Sequence, residues 1–207
     1  MIKVVNSHDL DCVCTSLDRF SHESAKMVEM AFDGLLKHNR RTLDEAQKIG
    51  GLVVLESKLL MQNVLSEKEI SNVLSTATIV EVLTEIQKIV YSADKMINNL
   101  RKKIDEGVLF SDKALAELKD IFSAVLNCLK TSHDLFLTQN PVLVQHILRQ
   151  TERYDNITSK YAEEHQDRLI RGVCLPKSSL IYLLVLETLK DILWYIKCIA
   201  KAFKRVN

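Results

Sequence analysis

The sequence predicts an all-α protein: two tandem three-helix repeats forming one elongated up-and-down helical bundle. Three observations lead there. Punctuation is sparse, with 5 Gly and 2 Pro in 207 residues, whereas a sandwich or barrel of short strands needs a turn roughly every ten positions. Apolar residues make up 47% and charged residues 27%, a balance that builds a core and excludes a disordered chain. The stops are far apart and leave six segments, each about twice the length of an average helix. Long helices joined by short loops pack as antiparallel neighbours.

The first helix is expected over about 15–38, where Phe20, Met27, Met30, Ala31 and Leu35 recur at threes and fours, the helical period. The second opens at Thr42-Leu43-Asp44-Glu45, a capping box in which the Thr hydroxyl accepts from a first-turn amide while Glu45 reaches back. It runs to about residue 65, with Gly50-Gly51 as a weak or closely packed spot. Another capping box, Ser66-Glu67-Lys68-Glu69, opens a short helical piece. The third long helix covers about 78–105 and ends at Gly107. Ser111 caps the fourth, about 112–139. Asn140-Pro141 starts the fifth, because Asn caps and Pro loses nothing at the first helical position. That helix runs to about residue 171 and stops at Gly172. Pro176 and Ser178-Ser179 introduce the sixth, which reaches about residue 204. Residues 91–100 echo residues 189–196, each with an Asp (Asp94, Asp191) amid apolar neighbours. This echo divides a single domain, 1–207, into repeats of about 14–107 and 110–205.

Charge argues against nucleic acid as a partner, since 28 basic and 27 acidic residues leave a net of +1 where such domains carry a basic excess. Lys197, Lys201, Lys204 and Arg205 read as a cationic last turn facing the helix dipole; contact with a membrane surface is the alternative. Five Cys at 12, 14, 128, 174 and 198 form neither a disulfide framework nor a four-ligand zinc spacing, and point to free thiols in a reducing compartment. The apolar run 180–186 is stopped by Glu187, far short of the ~20 residues a membrane span requires. A soluble, cytoplasmic protein is expected.

Catalytic motifs are lacking. The sequence contains no Gly-x-Ser-x-Gly elbow, no phosphate-cradling Gly-rich loop with Lys-Ser/Thr, and no His-x-x-x-His pair. Carboxylates are the exception. Glu29/Asp33, Glu163/Asp167 and Glu187/Asp191 each share a helical face at i, i+4. Polar surroundings make the first two solvated faces. The third interrupts the most apolar helix. It is either an outer face beside Lys190 and Lys197, or half of a metal site built from carboxylates on facing helices.

The stretch Leu186-Glu187-Thr188-Leu189-Lys190-Asp191-Ile192-Leu193-Trp194-Tyr195-Ile196-Lys197-Cys198-Ile199-Ala200 resembles the last-helix signature of the PhoU family of phosphate-uptake regulators, Leu-Glu-Arg-Ile-Gly-Asp-His-Ala-x-Asn-Ile-Ala. Upstream, His165-Gln166-Asp167-Arg168-Leu169-Ile170-Arg171-Gly172, followed by Pro176, Leu180 and Tyr182, is similar to the family's approach to that helix. The likeness is greatest to the PhoU-like domain of bacterial sodium/phosphate cotransporters. The resemblance implies a regulator, not an enzyme. Its partner would be the cytoplasmic face of a phosphate transporter or a sensor kinase, with homodimerisation and peripheral membrane association as further expectations. It also implies a divalent or ferric ion (iron, manganese, magnesium or zinc) held by Glu/Asp-x-x-x-Asp pairs. Carried over, Glu187 and Asp191 fill the last-helix pair. Asp155 supplies the second acid of the fifth helix, with Thr151 at the first position and Glu152 one residue displaced. Asp94 keeps its acid while Val90 replaces its partner, and Glu56 has Leu52 four residues before it. The Gly-Asp-His core reads Lys190-Asp191-Ile192. Two other readings stand beside this one. One is a helical adaptor whose acids are simply surface. The other is a carboxylate-bridged metalloenzyme, whose template needs Glu-x-x-His on two helices, a pattern this chain lacks.

Overall fold

The computed structural model describes residues 7–66 and 74–205, with side chains from residue 13 onward. Its six helices are α1 (Ser7–Lys37), α2 (Arg40–Ser66), α3 (Thr76–Asp105), α4 (Asp112–Thr138), α5 (Pro141–Ile170) and α6 (Pro176–Lys204). With 30 residues, α3 extends about 45 Å. Among the described residues there is no strand, and no helix is long and apolar enough to cross a membrane.

Local chemistry sets most boundaries. Ser111 Oγ accepts the Ala114 amide at 3.3 Å, and Asn140 Oδ1 accepts the Val142 amide at 2.9 Å with Pro141 opening the helix. Gly107 and Gly172 adopt positive φ, 63° and 71°, which glycine tolerates at no steric cost.

Two starts differ from expectation. Helix α1 begins at Ser7, well before residue 15. Helix α2 begins at Arg40, because Asn39 and not Thr42 is its cap: Asn39 Oδ1 accepts the Thr42 amide at 3.3 Å. His38 turns the chain at φ 52°, so the break falls earlier than the capping box suggests. Of the Ser66-Glu67-Lys68-Glu69 box only Ser66 is described, as the last residue of α2 with its hydroxyl donating to the Asn63 carbonyl at 2.8 Å; residues 67–69 and the Cys12 side chain lie outside the described residues.

Helices α1, α2 and α3 pack on one another, as do α4, α5 and α6; α1 against α4 and α3 against α6 join the two triplets. One continuous apolar core runs from Val13 to Phe203. Phe32 stacks on Phe122 (centroids 4.5 Å apart) across the α1–α4 seam, and Phe136 meets Phe203 at 5.5 Å between α4 and α6; such pairs add about 1 kcal/mol beyond their burial. Gly50 lets α2 approach closely, since a Cβ there would lie 2.7 Å from Met27 Sδ and 2.9 Å from Val90 Cγ1. Gly51, its neighbour, faces open space. Cys128 is sealed inside α4, and burial pushes its thiol pKa up to about 12.

Candidate functional site

Helices α3 and α6 run antiparallel along the centre of one face. Lys88 Nζ lies 5.6 Å from the Tyr195 ring centroid, and Glu81 pairs with Arg205. This ridge exposes two large aromatic side chains, Tyr91 at 63% and Trp194 at 54%. Lys95 stands over Tyr91 at 5.0 Å, and Lys197 and Lys201 over Trp194 at 5.9 and 5.6 Å, a cation–π arrangement. Each flank of the ridge holds a groove.

The α2/α3 groove is a cavity of about 430 Å³ lined partly by Gly50, Gly51 and Tyr91. Asp94 sits in its wall. Gln47 Nε2 donates to Asp94 Oδ1 at 2.5 Å and Asn98 Nδ2 to Oδ2 at 3.2 Å. Arg101 continues the chain, donating to Gln47 Oε1 at 2.6 Å and to Asp44 Oδ1 at 2.6 Å. Amides of this chain therefore occupy both Asp94 oxygens.

The α5/α6 groove, about 330 Å³, lies between Ser159 and Glu163 on one wall and Glu187 and Lys190 on the other. Glu187 is exposed and Asp191 half-buried. Burial first, then the Glu187 charge, raises the Asp191 pKa, while Lys95 and Lys190 act against that rise. Lys190 crosses the groove: its Nζ donates to Ser159 Oγ at 2.9 Å and lies 3.3 Å from Asp155 Oδ1.

Of the acids singled out in the sequence, Glu187 and Asp191 share the α6 face, and Asp155 reaches them only through Lys190. Glu152 is exposed on α5 and Asp94 belongs to the other groove. Glu56 pairs with Arg19 at 2.5 Å. Glu29, Glu163 and Asp167 are solvent-facing and Asp33 pairs with Lys37 at 2.7 Å, in line with solvated faces. Among the described residues no three His, Cys, Asp or Glu side chains form a group able to hold a metal ion. A hard cation takes six or so oxygen ligands, several of them carboxylates. A set whose carboxylate is already engaged by an ammonium does not fit one.

The sequence did not mark Glu117. It is buried on α4 at 5% exposure and accepts Arg168 Nη1 and Nη2 at 3.0 and 2.7 Å and the Tyr182 hydroxyl at 2.7 Å. His165 stacks on Tyr182 with centroids 4.1 Å apart, and its Nδ1 lies 3.1 Å from Arg168 Nη2. Arginine only donates, so Nδ1 accepts and the imidazole proton sits on Nε2. Burial, then the Arg168 charge, lowers the His165 pKa against the pull of Glu117. His165, Arg168 and Tyr182 belong to the stretch that carried the family resemblance; here they clamp α5 and α6 to α4.

Two helical triplets side by side, with a groove on each flank of a shared face, define the class: an elongated all-α bundle. Within that class the fold is that of PhoU. The crystal structure of PhoU from Pseudomonas aeruginosa matches with a TM-score of 0.87 and 15% identity, covering 96% of this chain and 97% of that one. The phosphate transport system regulatory protein PhoU from Streptococcus pneumoniae matches with a TM-score of 0.72 and 11% identity, covering 95% and 94%. No protein-family profile matches the sequence, and comparison with functionally characterised proteins returns no match.

Proposed function

We propose that this chain is a PhoU-like regulator of phosphate transport or phosphate signalling that works by binding and not by turnover. The observation that carries the proposal is the end-to-end likeness to two PhoU structures, in which all six helices take part and almost nothing of either chain is left over. In this reading the partner is the cytoplasmic face of a phosphate transporter, a sodium/phosphate cotransporter included, or of the sensor kinase that reports phosphate. The α3/α6 ridge supports the reading, because exposed Tyr and Trp are the side chains that interfaces bury with most effect. Lysines over Trp194 also suit a protein working beside an anionic membrane surface.

The test uses the tagged full-length protein to capture partners from detergent-solubilised membranes of the source cell. Phosphate uptake is measured in parallel, with and without the gene. Retention of a phosphate transporter or phosphate-sensing kinase, weakened by Trp194→Ala, is the expected result. Unchanged uptake and unchanged kinase output in cells lacking the protein would sink the proposal. Sedimentation of the purified chain reads out the homodimer that the same proposal includes.

A further inference from the structure

An acidic groove needs a bound cation only if nothing in the chain neutralises it, and in the α5/α6 groove Lys190 does. Its Nζ is fixed from two sides of one helix turn, by the Asp155 carboxylate and by Ser159 Oγ. Ser159 in turn donates to the Asp155 carbonyl at 3.0 Å, so the hydroxyl is oriented to accept from the ammonium. Glu187 lies one turn before Lys190 on α6 and Asp191 directly follows it. Lys190 also stands where the PhoU signature has glycine, the residue with no side chain to fill the space.

We propose that the Lys190 ammonium is the resident cation of the α5/α6 groove, replacing the metal ion that the PhoU resemblance implies and making this face independent of metal supply. A tethered ammonium offers one charge and three N–H donors, which suits one carboxylate and one hydroxyl. It does not suit the oxygen cage of a divalent ion. The rest of the donor set agrees. Thr151 stands at the first acidic position and donates to the Ile147 carbonyl at 2.9 Å, while Glu152 is turned to solvent. Lys95 supplies a second positive charge beside Asp191. In the opposite groove the same end is reached with amides, Gln47 and Asn98 occupying Asp94.

The proposal rests on the PhoU-like reading only for the expectation that this groove would otherwise hold a metal. The full-length protein is stripped with a chelator and titrated with Mn²⁺, and the free ion is followed by electron paramagnetic resonance. Melting is recorded in EDTA and in Mn²⁺. The parent and Lys190→Arg are expected to bind no Mn²⁺ at this groove and to melt alike in both media. Lys190→Met keeps the apolar stem but not the charge. It should bind Mn²⁺ at least about tenfold more tightly than any residual, non-specific binding of the parent, and the gain should vanish in the Lys190→Met/Asp155→Asn double variant. A parent that binds as tightly as Lys190→Met overturns the proposal, as does a bound metal that Asp155→Asn releases from the parent. If circular dichroism shows Lys190→Met unfolded, the parent and Asp155→Asn decide: a parent melting several degrees higher in Mn²⁺ than in EDTA, with the difference abolished by Asp155→Asn, overturns it. Failure of the regulatory reading shows separately, as phosphate uptake indifferent to the protein, and leaves the metal data untouched.

Discussion

Besides the exposed Lys113–Glu164 pair, helix α5 is joined to its neighbours by two carboxylate–cation pairs that share their charges and little else. Arg168–Glu117 is inside, with side chains 15% and 5% exposed; Lys190–Asp155 is at the rim, with 40% and 51%. The inner pair is bidentate and shares its carboxylate with Tyr182. The outer one is a single contact backed by a hydroxyl. Removing a partner from a buried pair strands a charge in a medium that cannot solvate it, whereas water repairs an exposed break. The first pair therefore holds the second triplet together, and the second only sets the charge of a groove.

Glu117→Ala should have the largest effect. It leaves the Arg168 guanidinium buried without its carboxylate, a loss of about 3–5 kcal/mol, read from urea unfolding; a loss as small as that of a surface pair would erase the contrast between the two sites. Tyr182→Phe removes one bond to a charged acceptor and should cost about 1.5–3 kcal/mol by the same measurement, with the His165 stacking retained.

The third prediction concerns pH. Burial and Arg168 hold the folded His165 pKa below its ordinary value. The unfolded chain, with its His near the ordinary ~6.5, therefore takes up a proton that the folded chain refuses. Stability contributed this way is present above about pH 6.5 and falls as pH drops below it. The drop in melting temperature from neutral pH to mildly acidic pH should be smaller in His165→Gln than in the parent. An equal drop in both would place the titration elsewhere.

The smallest effect belongs to the rim. Asp155→Asn or Lys190→Met should shift unfolding by under about 1 kcal/mol, while altering the charge-dependent behaviour of the groove.

Much of the bundle was legible because the signals are local. Asn140-Pro141 and Ser111 announce helix starts through bonds made within three residues of the cap. Thr42 misled for the same reason: its pattern is a valid cap, but Asn39 three residues earlier meets the requirement first. The start of α1 carries no such signal. Sites between helices were legible only in part. Glu187 and Asp191 stand out because acids in an apolar helix are conspicuous in one dimension. Glu117 does not, since its neighbours Lys113, Lys119 and Asp120 look like any wet helix face and its partners lie 51 and 65 residues away. Lys190 read as an ordinary surface lysine until the α5–α6 register put Asp155 and Ser159 opposite it. Trp194 with lysines at +3 and +7 was visible as spacing, but the exposure of the indole depends on what α3 and α5 leave uncovered.

Cys128 gives the bundle a stopwatch of its own. A thiol that is both sealed and held protonated is silent toward alkylating reagents while α4 stays seated. Cys12 and the half-exposed Cys14, Cys174 and Cys198 can be replaced by Ser, leaving a single reporter. The rate at which it is then labelled times the parting of α4 from α5, beside whose His146, Gln150 and Tyr154 Cys128 lies, as denaturant or partner is added, without any probe having to be introduced.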